Sequence, residues 1–289
     1  MRDADQFHVA VGFFDGVHLG HRKILVGADA AVTFSRHPLE VLRPERAPVL
    51  LMTVEERVAA IRACGVRVVT VLDFTPELAR VSAEDFVKKL VDVGLNGQNA
   101  RSPMGVVVRC GDNWRFGAGG RGDANLLRSR GLEVEVVPYA TYRGEPVSSS
   151  RIRQALADGQ VADVAAMLGR PFVVRGEVVK GKGLGRELGF PTLNMRPDRP
   201  LNLRRGVYAV RLDGVKGVAN YGLAPTMGDM AWREPVLEVH LLEPFAVVES
   251  TAAVELVDFI REERRFDSAE DLRRQIALDC AWHRSQLGL

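Results

Sequence analysis

Two stretches of this 289-residue sequence carry residue types able to do phosphate chemistry. The first is Gly12-Phe13-Phe14-Asp15-Gly16-Val17-His18-Leu19-Gly20-His21. An apolar run ends in a glycine turn, and two histidines three positions apart fall where a helix should begin. A helix N-terminus offers free backbone N–H groups and partial positive charge, both favourable to phosphate. Gly20 omits a side chain where a phosphate could approach. Imidazoles there can donate hydrogen bonds to charge that grows during phosphoryl or nucleotidyl transfer. No covalent nucleophile is required, because positioning and electrostatics carry such reactions. The spacing also suits a metal site or two surface histidines, so spacing alone leaves the choice open.

The second stretch is Gly181-Lys182-Gly183-Leu184-Gly185-Arg186-Glu187-Leu188-Gly189-Phe190-Pro191-Thr192-Leu193-Asn194. Alternate glycines let backbone amides turn inward around an anion. The run is not a Walker loop, since Gly183 follows the lysine, and a strand follows where a dinucleotide fingerprint needs a helix. Thr192 and Asn194, two apart in a strand, share a face. A hydroxyl and an amide oxygen there suit a hard cation such as Mg²⁺. A hairpin without ligand is the plain alternative. Farther on, Glu238 and His240 share a strand face opposite Val239 and Leu241. That pattern alone describes an outward carboxylate.

The elements that must position these residues follow from periodicity. In the first half, strands at His8 to Phe13, Ala30 to Phe34, Val66 to Leu72 (read as buried), Met104 to Val108 and Leu132 to Val137 alternate with helices. Thr53 with Glu56 and Ser82 with Asp85 cap two of those helices. The alternation predicts a parallel sheet with helices on its faces and ligands beyond the strands' carboxyl ends. Val147 to Arg170 reads as two short helices. Short strands then follow at Phe172 to Val179, Gly206 to Leu212, Val215 to Asn220, Leu237 to Leu242 and Ala252 to Phe259, which predicts a small antiparallel barrel or sandwich. Ser268 to Leu287 reads as a closing helix with Leu272, Ile276 and Leu278 on its period. The domains are expected at 1–168 and 169–289.

Composition narrows the class. A hydrophobic fraction of 46% and a charged fraction of 26% fit a globular protein with two cores. A net charge of +2 argues against nucleic acid as a partner. Cys64, Cys110 and Cys280 form no metal or disulfide spacing, and no run reaches the roughly 18 apolar residues of a membrane span. A cytoplasmic protein is expected, with no membrane partner. The sequence leaves self-association open.

The FDGVHLGH string resembles the nucleotidyltransferase signature of bacterial bifunctional riboflavin kinase/FAD synthetases, within the HxGH superfamily. Thr33-Phe34-Ser35-Arg36-His37-Pro38 resembles that family's TFxPHP strand end. Gly111 to Gly117 resembles its GxNFxFG loop, with Trp114 replacing a Phe. Val147 to Arg153 resembles its SSTxIR motif, where Ser150 could cap a helix facing phosphate and Arg153 could grip it. The second stretch resembles the kinase region GRxLGxPTxN; Gly206 to Val210, Asn220-Tyr221-Gly222 and Pro225-Thr226 follow in order. Phe259 to Phe266 resembles the family's FIRxExxF segment.

The resemblance implies a Rossmann-like α/β HxGH nucleotidyltransferase domain, then an antiparallel β-barrel kinase domain with a C-terminal helix. It implies that ATP phosphorylates riboflavin to FMN and a second ATP adenylylates FMN to FAD, with Mg²⁺ in both steps. By the same resemblance His18, His21 and Glu238 are catalytic, and Thr192 and Asn194 bind metal. Gly12, Phe13, Gly16, Gly20, Asn113, Ser150 and Arg153 bind ATP or its phosphates in the first domain. Gly181, Lys182, Gly183, Gly185, Pro191 and Asn220 do so in the second, and Phe190, Arg261 and Phe266 bind flavin. The sequence departs from the family twice. Residues 22–32 hold a helix of only about two turns. Glu243 to Ser250 lacks the usual Leu-Tyr-Gly. One working module, or a non-catalytic flavin or nucleotide sensor, are the alternatives.

Overall fold

The computed structural model describes residues 6–95, 105–180, 190–223, 235–243 and 250–285. The chain divides into two compact units, Met1–Ser149 and Ser150–Leu289.

The first unit is built on five parallel strands. They are β1 (Phe7–Val11), β2 (Ala30–Phe34), β3 (Val68–Leu72), β4 (Val106–Gly111) and β5 (Glu133–Val137), in the order β3-β2-β1-β4-β5. The central strands are almost wholly apolar, as burial on both faces demands. Val9, Val11, Val32 and Val108 pack one core with Phe86 and Leu127, while Ala10, Ala31, Leu25 and Ile61 pack the other. The expectation of a buried strand over Val66 to Leu72 is corrected. β3 is an edge strand starting at Val68, itself 37% exposed.

Helices α1 (Leu19–Leu25), α2 (Pro38–Leu42), α3 (Val54–Ala63), α4 (Pro76–Arg80), α5 (Ala83–Leu95) and α6 (Ala124–Ser129) connect these strands. The Thr53 hydroxyl accepts from the Glu56 amide at 3.2 Å, and the Glu56 carboxylate accepts from the Thr53 amide at 2.9 Å. That reciprocal cap starts α3. The Ser82 hydroxyl accepts from the Asp85 amide at 3.0 Å before α5. The sequence reading missed a two-stranded hairpin, β6 (Thr141–Tyr142) with β7 (Glu145–Pro146). Its turn has Arg143 at φ 53° and Gly144 at φ 80°. Positive φ at both positions matches strand twist, but Arg-Gly is a weaker signal for it than Asn-Gly.

In the second unit, α7 (Ser149–Ala157), which begins at the division, and α8 (Val161–Leu168) precede a closed barrel. Gly169 ends α8 in the left-handed region. The barrel strands are β8 (Phe172–Val179), β9 (Thr192–Pro197), β10 (Gly206–Leu212), β11 (Val215–Gly222), β12 (Val236–Leu241) and β13 (Thr251–Arg261). They pair antiparallel in the order β10-β11-β12-β9-β8-β13, closing from β13 back to β10. Asp213-Gly214 forms the expected tight turn, with φ of 47° and 83°. Wholly buried Tyr208, Met195, Leu237 and Val239 fill one side of the strands.

The chain closes with α9 (Ala269–Ser285), after the Ser268 hydroxyl accepts from the Asp271 amide at 3.1 Å. Its expected apolar period is corrected. Leu278 is 59% exposed, and Asp279, Cys280 and His283 are the buried residues. Among the described residues, no helix is long and apolar enough to cross a membrane.

Candidate functional site

Three of the quoted motifs arrive at one edge of the first sheet. Gly12-Phe13 follows β1, Ser35 to His37 follow β2, and Asp112-Asn113 follow β4. These are neighbouring strands, and all three end at their carboxyl ends. The chain leaves β1 toward β2 on one side, while β4 lies on the other. This is the topological switch point, where open α/β sheets take their ligands.

The turn after β1 is unusual backbone. Phe14 (φ 58°), Gly16 (φ 84°) and Val17 (φ 40°) all have positive φ. Non-glycine residues held there cost of order 1–3 kcal/mol each and concentrate at functional sites. Buried contacts hold the turn. The Asp15 carboxylate accepts from the Leu51 amide at 3.0 and 3.1 Å. The Ser149 hydroxyl donates to the Asp15 carbonyl at 2.8 Å, and the Thr33 hydroxyl to the Phe13 carbonyl at 2.8 Å.

His18 is the N-cap of α1. Its Nδ1 accepts from the Gly20 and His21 amides at 3.1 and 3.3 Å. Accepting there leaves the neutral ring's proton on Nε2. The His18 and His21 rings stack with centroids 3.6 Å apart, and Phe14 meets His21 edge-on at 5.4 Å. Burial, then the charges of His18 and Arg57, hold His21 well below the ordinary histidine value of 6.5. Gly20 has a second reason to be glycine besides the expected room for phosphate. A side chain there would meet the His18 ring at 3.1 Å, so the glycine also leaves space for the capping imidazole.

Other expectations fare differently. His37 caps α2 through Nδ1, accepting from the Leu39 amide at 3.1 Å, and its ring meets Phe13 at 4.9 Å. Asn113 is exposed, while Trp114 stacks on core Phe116 at 4.6 Å. Ser150 is the second residue of α7, inside its first turn, and is not its cap. Arg153 lies in the same helix, where its carbonyl accepts from Asn202. Sequence reasoning missed Arg57, a wholly buried arginine whose guanidinium lies 4.2 Å from the Phe13 ring centroid. Nothing in the apparently ordinary helix VEERVAAIRA marks it out.

On the barrel, Asn220 of β11 stands opposite Glu238 of β12, and Glu238 opposite Asn194 of β9. Direct partners in antiparallel strands share a face. The three therefore form a polar row on the face away from Leu237 and Val239. Thr192 lies on that face too, opposite His240. His240 Nδ1 lies 3.0 Å from the Pro191 carbonyl, and its ring meets Phe190 edge-on at 5.0 Å. Asn220 donates to Glu263 at 3.2 Å. Neutral oxygen donors on Thr192 and Asn194 beside one carboxylate fit Mg²⁺, which prefers few protein ligands plus waters and substrate phosphate. Among the described residues, no cluster of three or more His, Cys, Asp or Glu offers an alternative metal site. Gly181, Lys182, Gly183, Gly185, Pro225-Thr226 and residues 244–249 of the departing segment lie outside the described residues.

Arg261 binds Asp279 of α9 through Nε and Nη2, at 3.1 and 2.8 Å. Half-buried Phe266 has the guanidinium carbons of Arg261 and Arg264 5.8 and 5.4 Å from its ring centroid.

A histidine-capped helix at a parallel sheet's switch point, followed by a closed barrel bearing a Thr–Asn–Glu face, defines a two-module phosphate-transfer protein. The FAD synthetase family matches residues 1–151 and the riboflavin kinase family residues 168–287. The bifunctional riboflavin kinase/FMN adenylyltransferase of Escherichia coli K12 is 35% identical, over 97% of this chain and 93% of its own. The one from Bacillus subtilis is 31% identical over 94% and 89%. A crystallised Streptococcus pneumoniae chain described as a macrolide-efflux protein superposes with a TM-score of 0.83 at 27% identity, covering 98% of this chain and 95% of its own. The chain belongs to the bifunctional riboflavin kinase/FMN adenylyltransferase family.

Proposed function

We propose that the chain makes FAD from riboflavin in two steps, each consuming one ATP and each run by its own module in the cytoplasm. In the barrel, Glu238 accepts the proton of the terminal ribityl hydroxyl as that oxygen attacks the γ-phosphorus of ATP. FMN forms and ADP leaves. Thr192 and Asn194 would hold Mg²⁺, which neutralises phosphate charge when bound. Asn220 and the glycine run meet the phosphates. Phe190, Arg261 and Phe266 border the flavin, Arg261 in the geometry that Asp279 imposes.

In the first module, a phosphate oxygen of FMN attacks the α-phosphorus of a second ATP. The bond to the bridging oxygen breaks and pyrophosphate leaves. His21, held neutral by burial, and His18, with its proton on Nε2, donate to the charge that develops. Gly12, Phe13, Gly16 and Asn113 complete the nucleotide contacts of this unit, and the family resemblance gives Ser150 and Arg153 phosphate-binding roles as well. The observation that carries this reading is the arrival of three motifs at the carboxyl ends of three adjacent strands. Though short, α1 keeps its capped N-terminus, which supports a working adenylyltransferase.

The test supplies riboflavin, ATP and Mg²⁺ and separates the products by chromatography. FMN and FAD should both accumulate. FMN alone would leave only the kinase, and FAD from added FMN with riboflavin untouched would leave only the adenylyltransferase. Flavin binding without turnover would make the protein a sensor.

A further inference from the structure

A charged group buried without full compensation is poor evidence for stability, so its role must be sought in what it touches. Arg57 is such a group. The residue is 0% exposed. Its Nη2 donates to the Phe34 carbonyl at the end of β2. Its Nε and Nη1 are buried and have no hydrogen-bond partner among the described residues. No carboxylate lies within ion-pair distance among the described residues, although Asp15, Glu40 and Glu55 act on it from farther away.

The position explains what this arrangement can do. Phe13 lies in the turn just after β1 and Phe34 ends the neighbouring β2, both within motifs at the switch point. The Arg57 guanidinium touches both: the ring of one and the carbonyl of the other. Phe13 in turn meets the ring of His37, and its carbonyl is held by Thr33. One planar cation on α3 thus bridges the turn after β1 and the end of β2, a task that suits a guanidinium better than an ammonium.

We propose that Arg57 is a positioning residue for adenylyl transfer, holding the turn after β1 and the end of β2 in register while keeping positive charge behind the histidine pair. The proposal rests on the adenylyltransferase reading of this module. Substrate contact is not required of Arg57; it acts through Phe13, the Phe34 carbonyl and the electrostatic field at His21.

The test compares the full-length wild type with Arg57→Met and Arg57→Lys, measuring FAD formation from FMN, ATP and Mg²⁺. The same preparations are assayed for FMN formation from riboflavin and for thermal unfolding. Arg57→Met should lower kcat for FAD formation by about tenfold to a hundredfold, because small displacements near a reacting centre are that costly. The KM for ATP should change by less than about threefold. Arg57→Lys, which keeps charge without the planar fork, should recover part of the loss. Kinase turnover should stay at the wild-type level, and Arg57→Met should melt close to the wild type, since apolar replacement of buried charge is often neutral or stabilising. Wild-type kcat in both variants would overturn the proposal. So would a kcat loss that simply tracks lost thermal stability, because Arg57 would then be structural. A wild type that makes no FAD would instead fail the module's reading itself.

Discussion

Arg261, the last residue of β13, and Asp279, on α9, are joined by a buried forked ion pair, with the carboxylate accepting from Nε and from Nη2. The Asp279 side chain is 4% exposed and that of Arg261 19%. Gln275 adds a donor at 2.8 Å. The pair pins the closing helix to the segment that runs on to Phe266.

Asp279→Ala strands the guanidinium in a largely dry site. Removing one partner of a buried pair costs about 3–5 kcal/mol. Chemical denaturation of the second unit should shift accordingly. Riboflavin phosphorylation should fall, whereas FAD formation from added FMN should survive. Equal loss of both activities would count against the modular account.

Glu238→Gln preserves the shape of the polar row but removes the proton acceptor. FMN formation should drop by about 10²–10⁴-fold, the usual worth of a general base. Adenylylation of supplied FMN should be untouched. Asn194→Ala, on the facing strand, should raise the Mg²⁺ concentration needed for half-maximal kinase rate, read from a titration at saturating ATP.

Gly20→Ala separates two accounts of that glycine. The added methyl would press on the His18 ring at about 3.1 Å. It should displace the cap, weaken α1 by about 1 kcal/mol, and slow FAD formation even at saturating ATP. A change confined to KM for ATP would favour the account in which the glycine clears a path for phosphate.

His21 and His283 both titrate below the ordinary histidine value of 6.5, chiefly through burial. The unfolded chain therefore binds protons before the folded chain does. Stability is complete above that ordinary value and declines as pH falls toward each folded value. Thermal unfolding followed from neutral to mildly acidic pH should show this decline. His21→Gln should flatten it for the first unit, and His283→Gln for the second.

Much of the architecture was legible in sequence because it rests on local rules. Alternating apolar runs gave the parallel sheet, and Thr53 with Glu56 and Ser82 with Asp85 marked helix starts that the structure contains. β8 and β10 fell on their expected bounds. What escaped depends on tertiary contact. An arginine in a charged helix looks solvent-facing until the Phe13 ring and the Phe34 carbonyl meet its guanidinium. Leu278 looks internal by period, yet α9 buries an aspartate paired across space. Gly20 and His18 are neighbours in sequence, but which of them yields space to the other is a matter of ring placement.

The row Asn220, Glu238, Asn194 spans three adjacent strands of a barrel that closes on itself. Closure denies each strand the freedom to slide, and a slide of one residue would turn all three side chains to the opposite side. Insertions and deletions compatible with turnover must then fall at the strand connections, so variation in length should collect at hairpin tips while β9, β11 and β12 keep their lengths.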